Sequence, residues 1–271
     1  MTDLNPHMKQ MADESMVRNL DAQARAIWPQ ESALIRRYGL PDDIRILDAG
    51  CGTGEGSWRL AELFPRATVL GVDVLDSSLN LARTRHAARF APRLTFENQS
   101  IYELRAADGT YDLTVNRHVI HSIPHAERVL AELKRVTKPG GRLHLIPEDY
   151  GMLHFSPRRI DPDEFWREGP RVFGEATGTD LHVGRKAFGL LRAAGLRDVT
   201  VDHVIVDTQR VPRATFAAIL EAWRDGYVDV AAQHTRFDRA AVASYFDASI
   251  AAVRDPEGYA VWFVPVAAGT V

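Results

Sequence analysis

Residues 46–56 read Ile-Leu-Asp-Ala-Gly-Cys-Gly-Thr-Gly-Glu-Gly. An apolar run through Ile44, Ile46 and Leu47 ends in Asp48, glycines stand at 50, 52, 54 and 56, and an amphipathic pattern through Trp58, Leu60 and Leu63 follows. A buried strand, a turn too tight for side chains and then a helix let backbone approach a ligand at a helix N-terminus. Spacing narrows the ligand. A dinucleotide fingerprint G-x-G-x-x-G begun at Gly50 meets Glu55 where its third glycine belongs, and one begun at Gly52 meets Ser57. No Lys-Ser or Lys-Thr follows the glycines, which removes the phosphate-cradling P-loop. What remains is D-x-G-x-G-x-G.

The first half of the chain continues in the same pattern. Residues 69–73 form a second apolar strand ending in Asp73, about 20 residues after the glycines, where nucleotide-binding α/β folds place an acid for the ribose hydroxyls. Val74 follows, ready to lie against an adenine face. Residues 111–116 read as a fourth strand, followed by Arg117-His118-Val119-Ile120-His121 and a helix over residues 127–136. Lys138-Pro139-Gly140-Gly141 stops that helix with a turn into a fifth strand, residues 142–146.

In combination these motifs resemble the class I S-adenosylmethionine (SAM)-dependent methyltransferases, and among them the ubiquinone/menaquinone methyltransferase-like group, over residues 42–150. The resemblance implies an α/β fold: a Rossmann-like, seven-stranded, mostly parallel sheet of order 3-2-1-4-5-7-6, with helices on both faces and a helical cap. It implies S-adenosyl-L-methionine as cofactor and S-adenosyl-L-homocysteine as product. Carried onto this chain, the cofactor-binding residues are Asp48, Gly50, Cys51, Gly52, Gly54, Asp73, Val74, Ser100, Ile101 and Asn116. One departure stands out: the chain reads Gln99-Ser100-Ile101 where the family usually has Gly-Asp-Ala. Ser100 offers the adenine amino group a hydroxyl in place of a carboxylate.

A formal net charge of −3 gives no electrostatic footprint for a nucleic-acid backbone. No N-P-P-Y or D-P-P-Y tetrad is present, so the expected partner is a small-molecule acceptor and not nucleic acid. No apolar stretch approaches the roughly 18 residues a membrane span needs. The N-terminus, neither basic nor followed by an apolar region, does not read as a signal peptide. The single cysteine, Cys51, rules out an internal disulfide and fits a cytoplasmic protein, expected as a monomer or homodimer.

Residues 1–40 are expected to form a helical cap, with two helices across residues 10–39 broken at Pro29. Residues 41–271 form the cofactor-binding core. A segment at about residues 150–183, rich in Pro, Gly, Arg and aromatics, is too long for an incidental connection and is expected to cap the substrate. A helix over residues 185–194 and a strand over 199–206 return to the core. Pro212 opens a helix carrying Trp223 and Tyr227, a second helix runs over residues 239–253, and residues 259–266 form the last strand, antiparallel beside the sixth.

Methyl transfer needs positioning, exclusion of water and, for a phenol or enol acceptor, a general base. His121, just past the fourth strand, is the leading catalytic candidate, against a reading as a helix-start histidine. Glu148, Asp149 and Tyr150 follow the fifth strand and bind substrate, or else form a solvated loop; His154 is a weaker candidate. Trp166, with Trp28, Trp223 and Tyr227, either boxes a flat substrate or joins a core stripe. Arg18 and Arg25 either pair with the cofactor carboxylate or stay solvated. His118, His121 and His125 have metal-like spacing, but Pro124 interrupts them and no metal is expected. Cys51 reads as packing in the turn, not as a nucleophile. The reading is SAM-dependent methyl transfer to O or N of a metabolite by in-line displacement. The alternatives are a protein that binds SAM without methyl transfer, as in a fold recruited to pericyclic ring closure, or a nicotinamide-dependent oxidoreductase.

Overall fold

The computed structural model describes residues 4–156 and 159–271. The chain opens with a single turn, α1 (Met8–Met11), and a long helix, α2 (Glu14–Arg36). Alternation then begins: β1 (Arg45–Ala49), α3 (Glu55–Leu63), β2 (Thr68–Asp73), α4 (Asp76–Ala82), a wide turn into α5 (Ala88–Phe90), and β3 (Leu94–Asn98). Next come β4 (Tyr111–Arg117), α6 (Ala126–Val136), β5 (Thr137–Ile146), β6 (Leu153–Phe155), α7 (Asp163–Thr177), α8 (Ala187–Ala193) and β7 (Arg197–Asp207). The chain closes with α9 (Arg213–His234), α10 (Arg239–Arg254) and β8 (Ala260–Thr270).

The sheet runs β3-β2-β1-β4-β5-β8, parallel through β5, and β8 is antiparallel to β5, β6 and β7. The expected order holds through β5 and places β8 beside it, with β7 on β8, but past β5 it differs slightly because β6 also pairs with β8. The strand count differs: Leu153–Phe155, inside the expected capping segment, pairs with β8 and makes eight strands. Parallel strands covered on both faces must be apolar on both. Thus Ile46 packs with Leu60, Leu79 and Leu113 under α3 and α4, while its neighbour Leu47 packs with Leu130, Leu133 and Leu191 under α6 and α8. A third core, centred on Trp262, Phe216 and Trp223, joins β6–β8 to α2, α7, α9 and α10.

Two local expectations are corrected. Pro29 does not break the N-terminal helix: α2 continues through it. A proline inside a helix costs about 3 kcal/mol, and tertiary contacts one and two residues later offset it. Gln30 takes both the N–H (3.1 Å) and the C=O (2.9 Å) of Ile205 on β7, and Glu31 binds Arg117 on β4. The Lys-Pro-Gly-Gly turn is absorbed into β5 as a bulge. β4 advances from Tyr111 to Leu113 while β5 advances from Thr137 to Arg142.

Candidate active site

At the tip of β1 the N–H groups of Gly50 and Cys51 both donate to Val72 O on β2, at 2.8 and 2.9 Å. Gly50 has φ +80°, and a Cβ there would sit 2.5 Å from Val119 Cγ2; at Gly52, φ +51°, it would sit 2.9 Å from Leu20 Cδ1 of α2. At these two positions the left-handed backbone and the close neighbours favour glycine. The Gly52 N–H donates to Asp73 Oδ2 (2.9 Å) and the Leu75 N–H to Asp73 Oδ1 (3.0 Å), which fastens the turn to the acid at the tip of β2. Burial pushes the Asp73 carboxyl up and the backbone N–H groups draw it back. Each oxygen keeps a lone pair for a further donor.

A cleft of about 250 Å³ opens above the turn. Gly50, Gly52, Asp73, Val74, Ser100 and Ile101 line it, and Leu4, Met8, Met11 and Leu20 of the N-terminal segment roof it. Val74 is 40% exposed, an apolar face turned to the cleft. Ser100 Oγ accepts the Tyr102 N–H (3.3 Å) and retains its own proton to donate. This donor set fits an adenosine: a side-chain-free cradle, a carboxylate with spare lone pairs and an apolar platform.

The remaining cofactor candidates lie elsewhere. Asp48 sits beneath the turn, accepts Ser57 Oγ (2.6 Å), and is pushed by burial to about 6. Cys51 shares a small hollow with it, and burial pushes the thiol well up, so it stays neutral. Gly54 caps α3 with φ +80° and makes room for Phe96, not for a ligand. Asn116 is a buried strut that donates to Ala49 O (2.7 Å) and takes no part in the cleft wall.

Past β4 the cleft reaches His118, one of a pair that the sequence did not join. The His118 N–H donates to Ile146 O (3.0 Å), locking the tips of β4 and β5 together, and His118 Nδ1 is hydrogen-bonded to Glu148 Oε1. Both residues are buried and both are left-handed, at φ +58° and +56°, a conformation non-glycine residues rarely adopt. His118 Nε2 and Glu148 Oε2 have no hydrogen-bond partner. Burial pushes the imidazole down to about 3 and the carboxyl well up, with Asp149 adding to the latter. Thirty residues separate the two; the available signal was that each follows the C-terminal end of a parallel strand.

His121 faces a second, aromatic chamber with Tyr150, Trp166, Trp223 and Tyr227. Its Nε2 lies 3.5 Å from Tyr150 Oη and its Nδ1 is unpartnered. Burial, with His118 and His7 nearby, pushes its pKa well below the ordinary value. Burial likewise pushes the Tyr150 hydroxyl well up. Trp223 is therefore both core and chamber wall, and Tyr227 is half-buried in the wall.

Asp149 does not reach substrate space. Arg185 takes both its oxygens at 2.7 Å, and it also accepts the Gly151 N–H (3.0 Å), so it clamps the turn after β5. Arg18 pairs with Glu14 and Asp225, and Arg25 with Asp21, all on the surface. Trp28 packs in a different core, and His154 is exposed beside Asp163. His118 and His121 turn to Glu148 and Tyr150, and His125 is exposed near Glu127. Among the described residues no group of three His, Cys, Asp or Glu side chains is placed to hold a metal, and no helix is long and apolar enough to cross a membrane.

Comparison with known proteins supplies the family. A family model described as a methyltransferase domain matches residues 40–153. The trans-aconitate 2-methyltransferase of Variovorax paradoxus is 33% identical over 190 residues, 69% of this chain and 70% of that protein. The enzyme of the same name from Deinococcus radiodurans is 36% identical over 160 residues, 58% of this chain and 59% of its own length, so the match spans less than two thirds of that relative. Quinone C-methyltransferases are one matched group among several. Among solved structures, phosphoethanolamine N-methyltransferase 2 of Haemonchus contortus, in complex with phosphomonomethylethanolamine and S-adenosylhomocysteine, has a TM-score of 0.56 at 19% identity. The superposition covers 90% of this chain and 52% of that one, and shows the shared fold. Fold and cleft together define a nucleoside-binding, Rossmann-like α/β protein. The chain belongs to the class I SAM-dependent methyltransferases.

Proposed function

We propose that this protein transfers a methyl group from SAM to an oxygen or nitrogen of a small-molecule acceptor. The observation that carries the reading is the bond from the Gly52 N–H to Asp73 Oδ2 (2.9 Å), which makes the bare turn and the ribose-binding acid one rigid unit. In this reading Asp73 accepts the ribose hydroxyls, Val74 and Ile101 flank the adenine, and Ser100 meets its edge. Bound there, SAM supplies a methyl carbon that bonds to the acceptor atom while the sulfur keeps the electron pair of the broken bond.

The chain's own residues position the acceptor, exclude water and take up its proton. We place proton uptake at His118 Nε2 and not at His121. An imidazolium at His118 would lie against the Glu148 carboxylate, whereas one at His121 would face the Tyr150 hydroxyl and no carboxylate. For this step Glu148 must be ionised and His118 must carry its proton on Nδ1. His121 and Tyr150 then orient the acceptor from the aromatic side, and α1 and α2 shield the cleft from water.

Calorimetric titration with SAM and with S-adenosylhomocysteine tests the cofactor assignment, and saturable binding of both is expected. NADH should not bind, which separates this reading from an oxidoreductase. Transfer of label from methyl-labelled SAM to an acceptor separates it from a binding-only protein. Absence of binding by either sulfur nucleoside overturns the proposal.

A further inference from the structure

The aromatic chamber has a composition that selects its ligand. Its cavity is about 60 Å³, walled by rings from α7 (Trp166, Phe173) and α9 (Trp223, Tyr227), and no Asp, Glu, Lys or Arg stands in its wall. A ligand carrying carboxylates or phosphates would lose its water here and meet no counter-charge, a cost of several kcal/mol per ion. The one indole N–H on the α7 side, Trp166 Nε1, is already given to Ser249 Oγ (3.1 Å). His121, Tyr150 and Tyr227 bring polar side-chain atoms to the wall, enough to orient a hydroxyl.

The chamber already holds one ring, the chain's own. His7 is 2% exposed, stands edge-on to Phe173 with centroids 5.1 Å apart, and is tilted against Tyr227 at 6.1 Å. Its nitrogens reach Thr179 Oγ1 and Tyr227 Oη only at 3.5 Å. Among the described residues of its segment no other is buried so deeply: α1 buries no residue, and Leu4 and Met8 are 39% and 47% exposed. The same segment roofs the cofactor cleft through Leu4 and Met8. His7 therefore sits as a planar, uncharged heteroaromatic plug, held by ring packing and by long hydrogen bonds.

We infer that this chamber is the acceptor site, that it takes an uncharged planar aromatic ring bearing one hydroxyl, and that such a ring enters by displacing His7. This rests on the reading of the neighbouring cleft as the methyl-donor site and names the substrate class for it. A tricarboxylate such as trans-aconitate, named for two relatives, does not suit this wall.

The test is binding, not turnover. The full-length protein, saturated with S-adenosylhomocysteine, is titrated calorimetrically with 2-naphthol and separately with trans-aconitate. Saturable binding is expected for the naphthol alone. His7→Ala should tighten naphthol several-fold, because the competing ring is gone, and Phe173→Arg should weaken it. In the wild type, proton resonances of the His7 ring should lose the ring-current shift of Phe173 and Tyr227 as naphthol saturates, a readout that needs no variant to fold. Naphthol binding no better than trans-aconitate, or failing to move the His7 resonances, overturns the inference. Since S-adenosylhomocysteine binding is measured first, that failure is distinct from failure of the cofactor assignment.

Discussion

Glu31 of α2 and Arg117 at the end of β4 meet through two hydrogen bonds, Nε to Oε1 at 2.7 Å and Nη2 to Oε2 at 2.8 Å, in a place where Glu31 has no solvent exposure at all. His144 Nε2 lies 3.2 Å from the same carboxylate, and Tyr38 Oη lies 2.7 Å from His144 Nδ1. One buried network thus fastens the N-terminal helix to the strand that leads into His118. Arg117 also lines the cleft, so the roof over the cofactor site and its floor share this anchor.

Glu31→Gln should destabilise the protein by about 3–5 kcal/mol, the usual cost of leaving a buried charge unpaired, read from urea unfolding at neutral pH. Replacing both partners by methionine should recover part of that loss.

The same pair sets an acid limb of stability. Desolvation pushes the Glu31 carboxyl up, but Arg117 and His144 outweigh it and hold it at about 2, below its unfolded value of 4.5. A depressed carboxylate adds stability that is complete above the unfolded value and is lost as pH falls from about 4.5 through 2. Unfolding free energies measured across that window should fall more steeply for the wild type than for Glu31→Gln; parallel curves would remove the pair from the account.

His118→Asn should lower kcat by about 10²–10⁴-fold, the range for a lost general base, with SAM affinity changed little. His121→Asn should act mainly on acceptor KM. Because burial pushes the Glu148 carboxyl up, kcat/KM should rise with pH through an apparent pKa above the ordinary carboxylate range. That limb should vanish or move to acid in Glu148→Gln. A larger kcat loss at His121 than at His118 would return the base to His121.

Asp73→Ala should weaken SAM binding by about 1.5–3 kcal/mol, from lost hydrogen bonds to a charged group. The variant also frees the Gly52 and Leu75 N–H groups, so hydrogen exchange at both amides should quicken. Unchanged affinity by calorimetry would refute the ribose role.

At Gly52 the obstacle is a flexible side chain of the cap, Leu20, 2.9 Å from the added Cβ. Gly52→Ala should cost about 1–3 kcal/mol of stability from overpacking and weaken cofactor binding. Leu20→Ala in the same chain should restore part of both, though not the strain of φ +51°. Full additivity of the two substitutions would mean the residues do not touch.

The strand order came from the family resemblance alone, but the α/β class and the cleft residues Gly50, Gly52, Asp73 and Val74 were legible in the sequence. Each depends on contiguous residues: a strand tip, its turn and the next helix are local, and bare glycines permit few conformations. Asn116 and Asp149 could not be placed that way, because whether a polar residue after a strand faces ligand or braces its neighbours depends on Ala49 and Arg185, far along the chain. The helix through Pro29 is a similar case, since its local cost is overruled by Ile205 and Arg117. Only the tertiary structure could join His118 to Glu148, gather the chamber rings from α7 and α9, and seat His7 among them. Periodicity reports which face of an element is apolar; which faces meet, and which polar groups they trap together, is decided when the elements pack.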